Sequence, residues 1–156
     1  MQSSSIKLLP GWQNSGPGHW QTVWEEEFGY ERVQQHDWMH PKRGDWTARL
    51  QDVIVDAQEP VVLVAPGDVE RPDLAELIPG WSPIALQKLP FPSILVGSQN
   101  DPYCSAERAR LLADSWGARW VDQGDCGHIN AESGLGNWPL GQGLLAELSA
   151  VAAAKN

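Results

Sequence analysis

The stretch Pro60-Val61-Val62-Leu63-Val64-Ala65, which runs directly into Pro66-Gly67, decides the interpretation of the fold. It is apolar throughout, as is typical of a parallel strand covered on both faces, and the Pro-Gly pair ends it. On either side of it, short apolar runs alternate with amphipathic segments, which indicates an α/β fold. We predict five strands, at about residues 6–9, 31–35, 60–65, 93–97 and 119–122.

Helical spacing of apolar residues predicts the segments between these strands. One helix is expected to start near His19, and another to run from a Ser105 cap to Trp116, with Gly117 as its stop. A final helix is expected from about Pro139 to Ala153. Residues 1–156 are therefore predicted to form a single α/β domain.

Composition restricts the class of protein and its partners. The 156 residues are 42% hydrophobic, which suits one packed core. The formal charge is −9, so the surface repels phosphate backbones and nucleic acid is not expected as a partner. No run of 18 apolar residues occurs, so no membrane span is expected.

Two further features predict a cytoplasmic location. The segment Met1-Gln2-Ser3-Ser4-Ser5 lacks the basic region of a secretory signal. The only cysteines, Cys104 and Cys126, are expected to be free thiols, because a disulfide framework would use more of them.

Nine tryptophans are an unusual number for this length. Most stand near Gly, Pro or Asp, and we interpret them as apolar anchors that pack loops onto the core, with the indole N–H bonded to backbone. A carbohydrate-binding or aromatic-ligand surface is the alternative.

Two loops follow the last two predicted strands and carry the candidate chemistry. The first is SQNDPYCS at residues 98–105, and the second is GDCGHIN at residues 124–130. Catalytic groups gather at the carboxyl edge of a parallel sheet. A carboxylate after one strand and a Gly-His after the next follow the acid-then-base order of α/β-hydrolases. Asp101 would orient His128, which would accept the proton of a nucleophile.

Several motifs, in order along the chain, carry a family resemblance. They are PG at 10–11, NSGPGHWQ at 14–21, DW at 37–38, DVERPD at 68–73, NDPYCS at 100–105 and GHINAESG at 127–134. Together they resemble the small serine hydrolases of the retinoblastoma-binding-protein-nine type.

The resemblance implies an α/β-hydrolase-like three-layer sandwich with a mostly parallel sheet. It also implies hydrolysis of a small-molecule ester or amide by a Ser-Asp-His triad, with Asp101 as acid and His128 as base, and we expect neither cofactor nor metal. The loop containing Trp12, Gln13 and Ser15 would bind substrate and supply one oxyanion N–H, that of Trp12.

The chain departs from this family where the nucleophile belongs. The family has a Gly/Ala-His-Ser-x-Gly elbow after its third strand, then a helix and another strand that ends in Val-Ala-Pro. Here Val64-Ala65 runs straight into Pro66-Gly67, and no serine stands in such an elbow. The sequence looks as if the end of the family's third strand were joined directly to the end of its next strand. Such a deletion would remove roughly 30 residues, the size of one βα unit and the next strand. About five strands would remain, one strand and one helix fewer than in the family.

Substitute nucleophiles and a metal site are weaker alternatives. Ser15 reads as a turn serine, and a thiol nucleophile at Cys104 or Cys126 has little support from position. His36 and His40 flank Asp37, but Pro41 follows and no further ligand is evident, so no metal is expected.

Two functions therefore compete. The first is an esterase- or amidase-like hydrolase. The second is a non-catalytic remnant that binds a small ligand or a protein partner through the former active-site cleft.

Overall fold

The computed structural model describes residues 6–54 and 60–154. The Met1–Ser5 segment, on which part of the prediction of location depends, lies outside these residues. Contacts between Cα atoms divide the chain into two compact units. The first comprises Met1–Val55 and Asn130–Trp138, and the second comprises Asp56–Ile129 and Pro139–Asn156.

Five helices and five strands alternate in the described residues, which confirms the predicted α/β class. The strands are β1 (Lys7–Leu8), β2 (Glu31–Arg32), β3 (Val61–Val64), β4 (Ser93–Gly97) and β5 (Arg119–Asp122). The helices are α1 (Trp20–Phe28), α2 (Arg43–Ile54), α3 (Pro72–Leu77), α4 (Ala106–Trp116) and α5 (Pro139–Ala153). In the described part of the chain, no helix has both the length and the apolar character needed to cross a membrane.

The strand pairs are parallel, but they form two sheets rather than the one sheet of about five strands that we predicted. In the first unit β1 pairs with β2, and in the second the order is β3-β4-β5. The first sheet is minimal because each of its strands has only two residues, and so offers few backbone groups for pairing.

The strand covered on both faces is β4, not β3 as predicted. Every residue of β4 is buried, whereas every residue of β3 is only half-buried. The reason is position in the sheet, since β4 has a partner on each side and β3 lies at an edge. The core of the second unit consists of β4 and α4 residues with their neighbours, namely Leu95, Cys104, Ala109, Leu112, Ala113 and Ala118.

Helix α4 begins and ends where the sequence predicts. The Ser105 side chain accepts a hydrogen bond from the Arg108 N–H at 3.1 Å, which caps its first turn. Gly117 adopts a left-handed conformation, with φ of 69°, and ends the helix. Because β4 and α4 are both fixed, the loop between them is held at both ends.

The tryptophans pack largely as predicted. Trp20, Trp24 and Trp138 form a buried aromatic cluster in the first unit, with ring centroids 4.7 to 5.8 Å apart. Several indole N–H groups donate to backbone carbonyls, including those of Trp24 at 2.9 Å and Trp116 at 2.7 Å. Packing therefore accounts for Trp20, Trp24 and Trp138, whereas the other six tryptophans are only half-buried, and the buried indole N–H of Trp120 has no hydrogen-bond partner among the described residues.

Candidate active site

The predicted acid, Asp101, lies in the loop between β4 and α4. Asp101 accepts a hydrogen bond from the Tyr103 backbone N–H at 2.9 Å, which closes a tight turn. The Asp101 side chain is only 2% exposed, so its carboxylate is shielded from water. A buried carboxylate needs a partner, and the loop after β5 provides it.

The partner is His128. Its Nδ1 lies 2.9 Å from Oδ2 and 3.0 Å from Oδ1 of Asp101. An ionised carboxylate only accepts hydrogen bonds, so Nδ1 carries the hydrogen and donates it. In the neutral ring Nε2 then holds the lone pair, and no described residue is its hydrogen-bond partner. The predicted acid and base are therefore brought together in the geometry that leaves Nε2 able to accept a proton.

The surroundings of the imidazole fix its plane. The Tyr103 ring stands edge-on to it, with centroids 4.7 Å apart and an angle of 70° between the planes. The His128 side chain is 29% exposed, so a small molecule can reach the ring.

The predicted oxyanion loop lies in the first unit. Gln13 and Asn14 adopt left-handed conformations, with φ of 67° and 62°. The Gln13 N–H donates to Trp38 O at 2.9 Å and is therefore occupied, whereas no acceptor for the Trp12 N–H occurs among the described residues. The Ser15 N–H likewise has no acceptor among the described residues, so the backbone N–H groups of Trp12 and Ser15 are both candidates for the predicted oxyanion contact.

A buried arginine that the sequence does not single out holds this loop. The Arg32 side chain is 7% exposed and donates to Asn14 Oδ1 at 2.8 Å and to Ser15 O at 3.0 Å. Its pairing with Glu25, at 2.7 Å, neutralises the buried charge. The signal that could have located Arg32 is a cation within the short strand β2, which pairs with the strand that precedes the polar, glycine-rich loop.

None of the alternative nucleophiles named above is poised for attack. The Ser15 hydroxyl is buried and donates to Gln21 Oε1 at 2.5 Å. Burial raises the pKa of the Cys104 thiol to about 11, and the nearby Asp68 and Asp101 charges act in the same direction. The Cys126 thiol points to its own loop, since its Sγ lies 3.4 Å from Gln123 O.

The described residues contain no group of three or more side chains suited to a metal ion. His40 is 86% exposed, and its Nδ1 lies 3.5 Å from Asp37 Oδ2, so this pair lies at the protein surface.

The chain is similar to one protein family in sequence and to two solved structures in fold. A model of the serine hydrolase family matches residues 6–65 and 55–147, so the two matched segments share residues 55–65. A protein of Pectobacterium atrosepticum described as a YdeN-like hydrolase superposes with a TM-score of 0.79 at 28% identity, over 94% of this chain and 91% of that one. The ydeN gene product of B. subtilis superposes with a TM-score of 0.65 at 14% identity, over 93% and 98% of the two chains, which is a likeness of fold. No curated protein sequence matches the chain.

Proposed function

The chain belongs to the serine hydrolase family, and we propose that it binds small esters or amides at Asp101 and His128 and hydrolyses activated esters slowly, without an acyl-serine intermediate. The observation that carries this proposal is the pairing of His128 Nδ1 with the buried Asp101 carboxylate at 2.9 Å. The likeness to the YdeN-like hydrolase, in a reduced α/β-hydrolase-like fold, supports hydrolysis as the reaction class.

The proposed chemistry uses water as the nucleophile. Water bound at His128 Nε2 attacks the acyl carbonyl while Nε2 takes its proton. The Asp101 carboxylate stabilises the imidazolium that forms. The imidazolium then returns the proton to the departing alkoxide or amine, which leaves the carboxylic acid and an alcohol or amine as products. The assignment of the Trp12 N–H to the oxyanion rests on the family resemblance and stays a prediction.

Slow turnover is expected because the serine elbow is absent. Removal of a triad nucleophile lowers kcat by about six orders of magnitude in a thoroughly measured serine protease, although about three orders above the reaction in water remain. The overlap of the two family matches at residues 55–65 is what two joined strand ends would produce, and it supports the loss of a block rather than of one residue.

A second candidate function is ligand binding without turnover. It is favoured by the passage of Val64-Ala65 into Pro66-Gly67, which leaves no serine at the end of β3. In that case the occupant of the site would still be an ester, an amide or a related acyl compound.

Two reagents distinguish the candidates. p-Nitrophenyl acetate reports hydrolysis, and a fluorophosphonate probe reports an activated serine. The proposal expects slow hydrolysis that falls to the buffer rate in His128→Ala, together with no fluorophosphonate labelling. Hydrolysis equal to buffer in the folded wild-type protein would leave ligand binding as the function. Covalent labelling of a serine would contradict the proposed water mechanism.

Insertion of the family's elbow, helix and strand between Ala65 and Pro66 provides the complementary test. If a missing block explains the weak activity, the insertion variant should label with the fluorophosphonate, and the label should vanish when the introduced serine is replaced by alanine. A folded insertion variant that stays unlabelled would refute the missing-block explanation.

A further inference from the structure

Hydrogen bonds between the loops after β4 and β5 continue where the strand pairing ends. The Gln123 N–H donates to Gly97 O at 2.8 Å, and the Gln99 N–H donates to Gly124 O at 2.8 Å. These bonds extend the parallel ladder by one step, but they stop short of the acid and the base. Beyond that point, side chains rather than backbone carbonyls accept the hydrogen bonds between the two loops.

Ser98 and Asn100 supply the next two steps. The Cys126 N–H donates to Ser98 Oγ at 2.9 Å, and the Gly127 N–H donates to Asn100 Oδ1 at 2.7 Å. Ser98 is 1% exposed, and its hydroxyl shares its own hydrogen between Asn100 Oδ1 at 2.9 Å and Gly124 O at 3.0 Å. Both contacts at Asn100 Oδ1 come from donors, which fixes the orientation of the amide.

The turn that these bonds hold is a strained one. Gly127 has φ of 58° and Ile129 has φ of 49°, so His128 lies between two left-handed residues. Glycine tolerates this conformation, but a β-branched residue does not adopt it without compensation. Strained backbone of this kind persists only where the surrounding structure restrains it. Asn100 contacts the residue directly before His128 and therefore provides such a restraint.

We propose that Asn100 and Ser98 are positioning residues that hold the His128 turn so that Nδ1 reaches Asp101. Asn100 acts through the Gly127 N–H, and Ser98 acts through the Cys126 N–H and through Asn100 itself. Neither residue reacts with a substrate. The relevance of this role to catalysis rests on the proposed function, but the role in orienting the imidazole does not.

The test compares three variants by NMR of the ¹⁵N-labelled His128 ring. Asn100→Ala removes the acceptor of the Gly127 N–H, Asn100→Asp retains an acceptor oxygen of similar reach, and Gln99→Ala is the control in the same loop. The Gln99 side chain bonds to the exposed Asp122 side chain and takes no part in the bonds that hold this turn. In the wild type we expect a single tautomer with a downfield Nδ1 proton.

Asn100→Ala should lose that proton signal and show mixed tautomers while the protein is still folded. Asn100→Asp should restore the signal, and Gln99→Ala should leave it unchanged. If esterase activity is detectable, it should fall about tenfold in Asn100→Ala, the equivalent of one hydrogen bond, and recover in Asn100→Asp.

A folded Asn100→Ala protein with the wild-type His128 signal would overturn the proposal, even if its melting temperature were lower. Should Asn100→Ala not fold, Asn100→Ser replaces it, because the shorter side chain keeps a polar group but ends short of the Gly127 N–H. Loss of the wild-type His128 signal in folded Asn100→Ser would then support the proposal, and its retention would overturn it. An inactive wild type in which the tautomer still depends on Asn100 would refute the proposed function and leave this role standing.

Discussion

Replacement of Asp101 by asparagine is the sharpest test of how the acid and base cooperate. The substitution preserves shape, and the oxygen of the new amide could still accept from the Tyr103 N–H, so the turn should persist. It removes the negative charge 2.9 Å from His128 Nδ1. It can also place an amide donor against Nδ1, which favours the tautomer with its hydrogen on Nε2 and so removes the base.

The size of the effect follows from the geometry. Two unit charges about 4 Å apart attract by about 4 kcal/mol at the effective dielectric near a protein surface. The Asp101 carboxylate is 2% exposed but the His128 side chain is 29% exposed, so solvent reduces this value. With about 2 to 4 kcal/mol of imidazolium stabilisation lost, hydrolysis that depends on His128 should slow by about 30- to 1,000-fold.

The assay is initial-rate hydrolysis of p-nitrophenyl acetate by the wild type, Asp101→Asn, His128→Ala and Asp125→Asn. Asp125 is an exposed carboxylate in the same loop as His128 and serves as the matched control, for which the rate should not change. Circular dichroism confirms folding of each variant. If Asp101→Asn retained the wild-type rate while His128→Ala abolished it, the inferred role of the carboxylate would be wrong.

Three further predictions concern stability and reactivity. Leu112→Ala, in the fully buried core, should lower the free energy of unfolding by about 2 to 5 kcal/mol in urea titrations. The control Leu111→Ala lies on the exposed face of the same helix and should change the free energy of unfolding little. Equal losses in the two variants would contradict the assigned core. Gly97→Ala should lower the free energy of unfolding by about 1 to 3 kcal/mol, because an added Cβ would overlap the Trp120 ring. Gly67→Ala is the control, since an added Cβ there meets nothing within 4 Å, and an equal loss in this variant would show that the overlap is not the cause. The raised pKa of Cys104 favours the protonated thiol in the folded state, so its contribution is present below pH 9 and is lost as the pH rises toward 11. Cys104→Ala should flatten the fall in stability between pH 9 and 11 in urea titrations, and an unchanged pH profile would show that folding does not raise the pKa of this thiol.

Local signals in the sequence account for the parts of the fold that were predicted well. Ser105 and Gly117 mark the ends of α4 through capping chemistry that depends only on neighbouring residues, and the structure confirms both. The distribution of burial is not local. The run from Val61 to Val64 looks like a central strand, yet it is half-buried because its place in the sheet depends on which strands pair with it.

The candidate site also has a part that the sequence predicts and a part that depends on the fold. The order of a carboxylate and a Gly-His along the chain predicts Asp101 and His128 as acid and base, but the contacts of Arg32, Ser98 and Asn100 depend on hydrogen bonds to residues 17 to 28 positions away. No periodicity or motif encodes those pairings, because a buried polar side chain takes its partner from whatever element the fold brings near it.

The sequence by itself determined the α/β class and the absence of a serine elbow after Val64-Ala65, and it predicted Asp101 and His128 as acid and base, since these depend on residue type and order. Only the tertiary structure decided that Asp101 and His128, 27 residues apart, meet at 2.9 Å, because parallel pairing of β4 and β5 brings the two following loops to one sheet edge. It also decided which strand is central and which side chains restrain the histidine turn. These features depend on contacts between distant segments, which form only when the chain has folded.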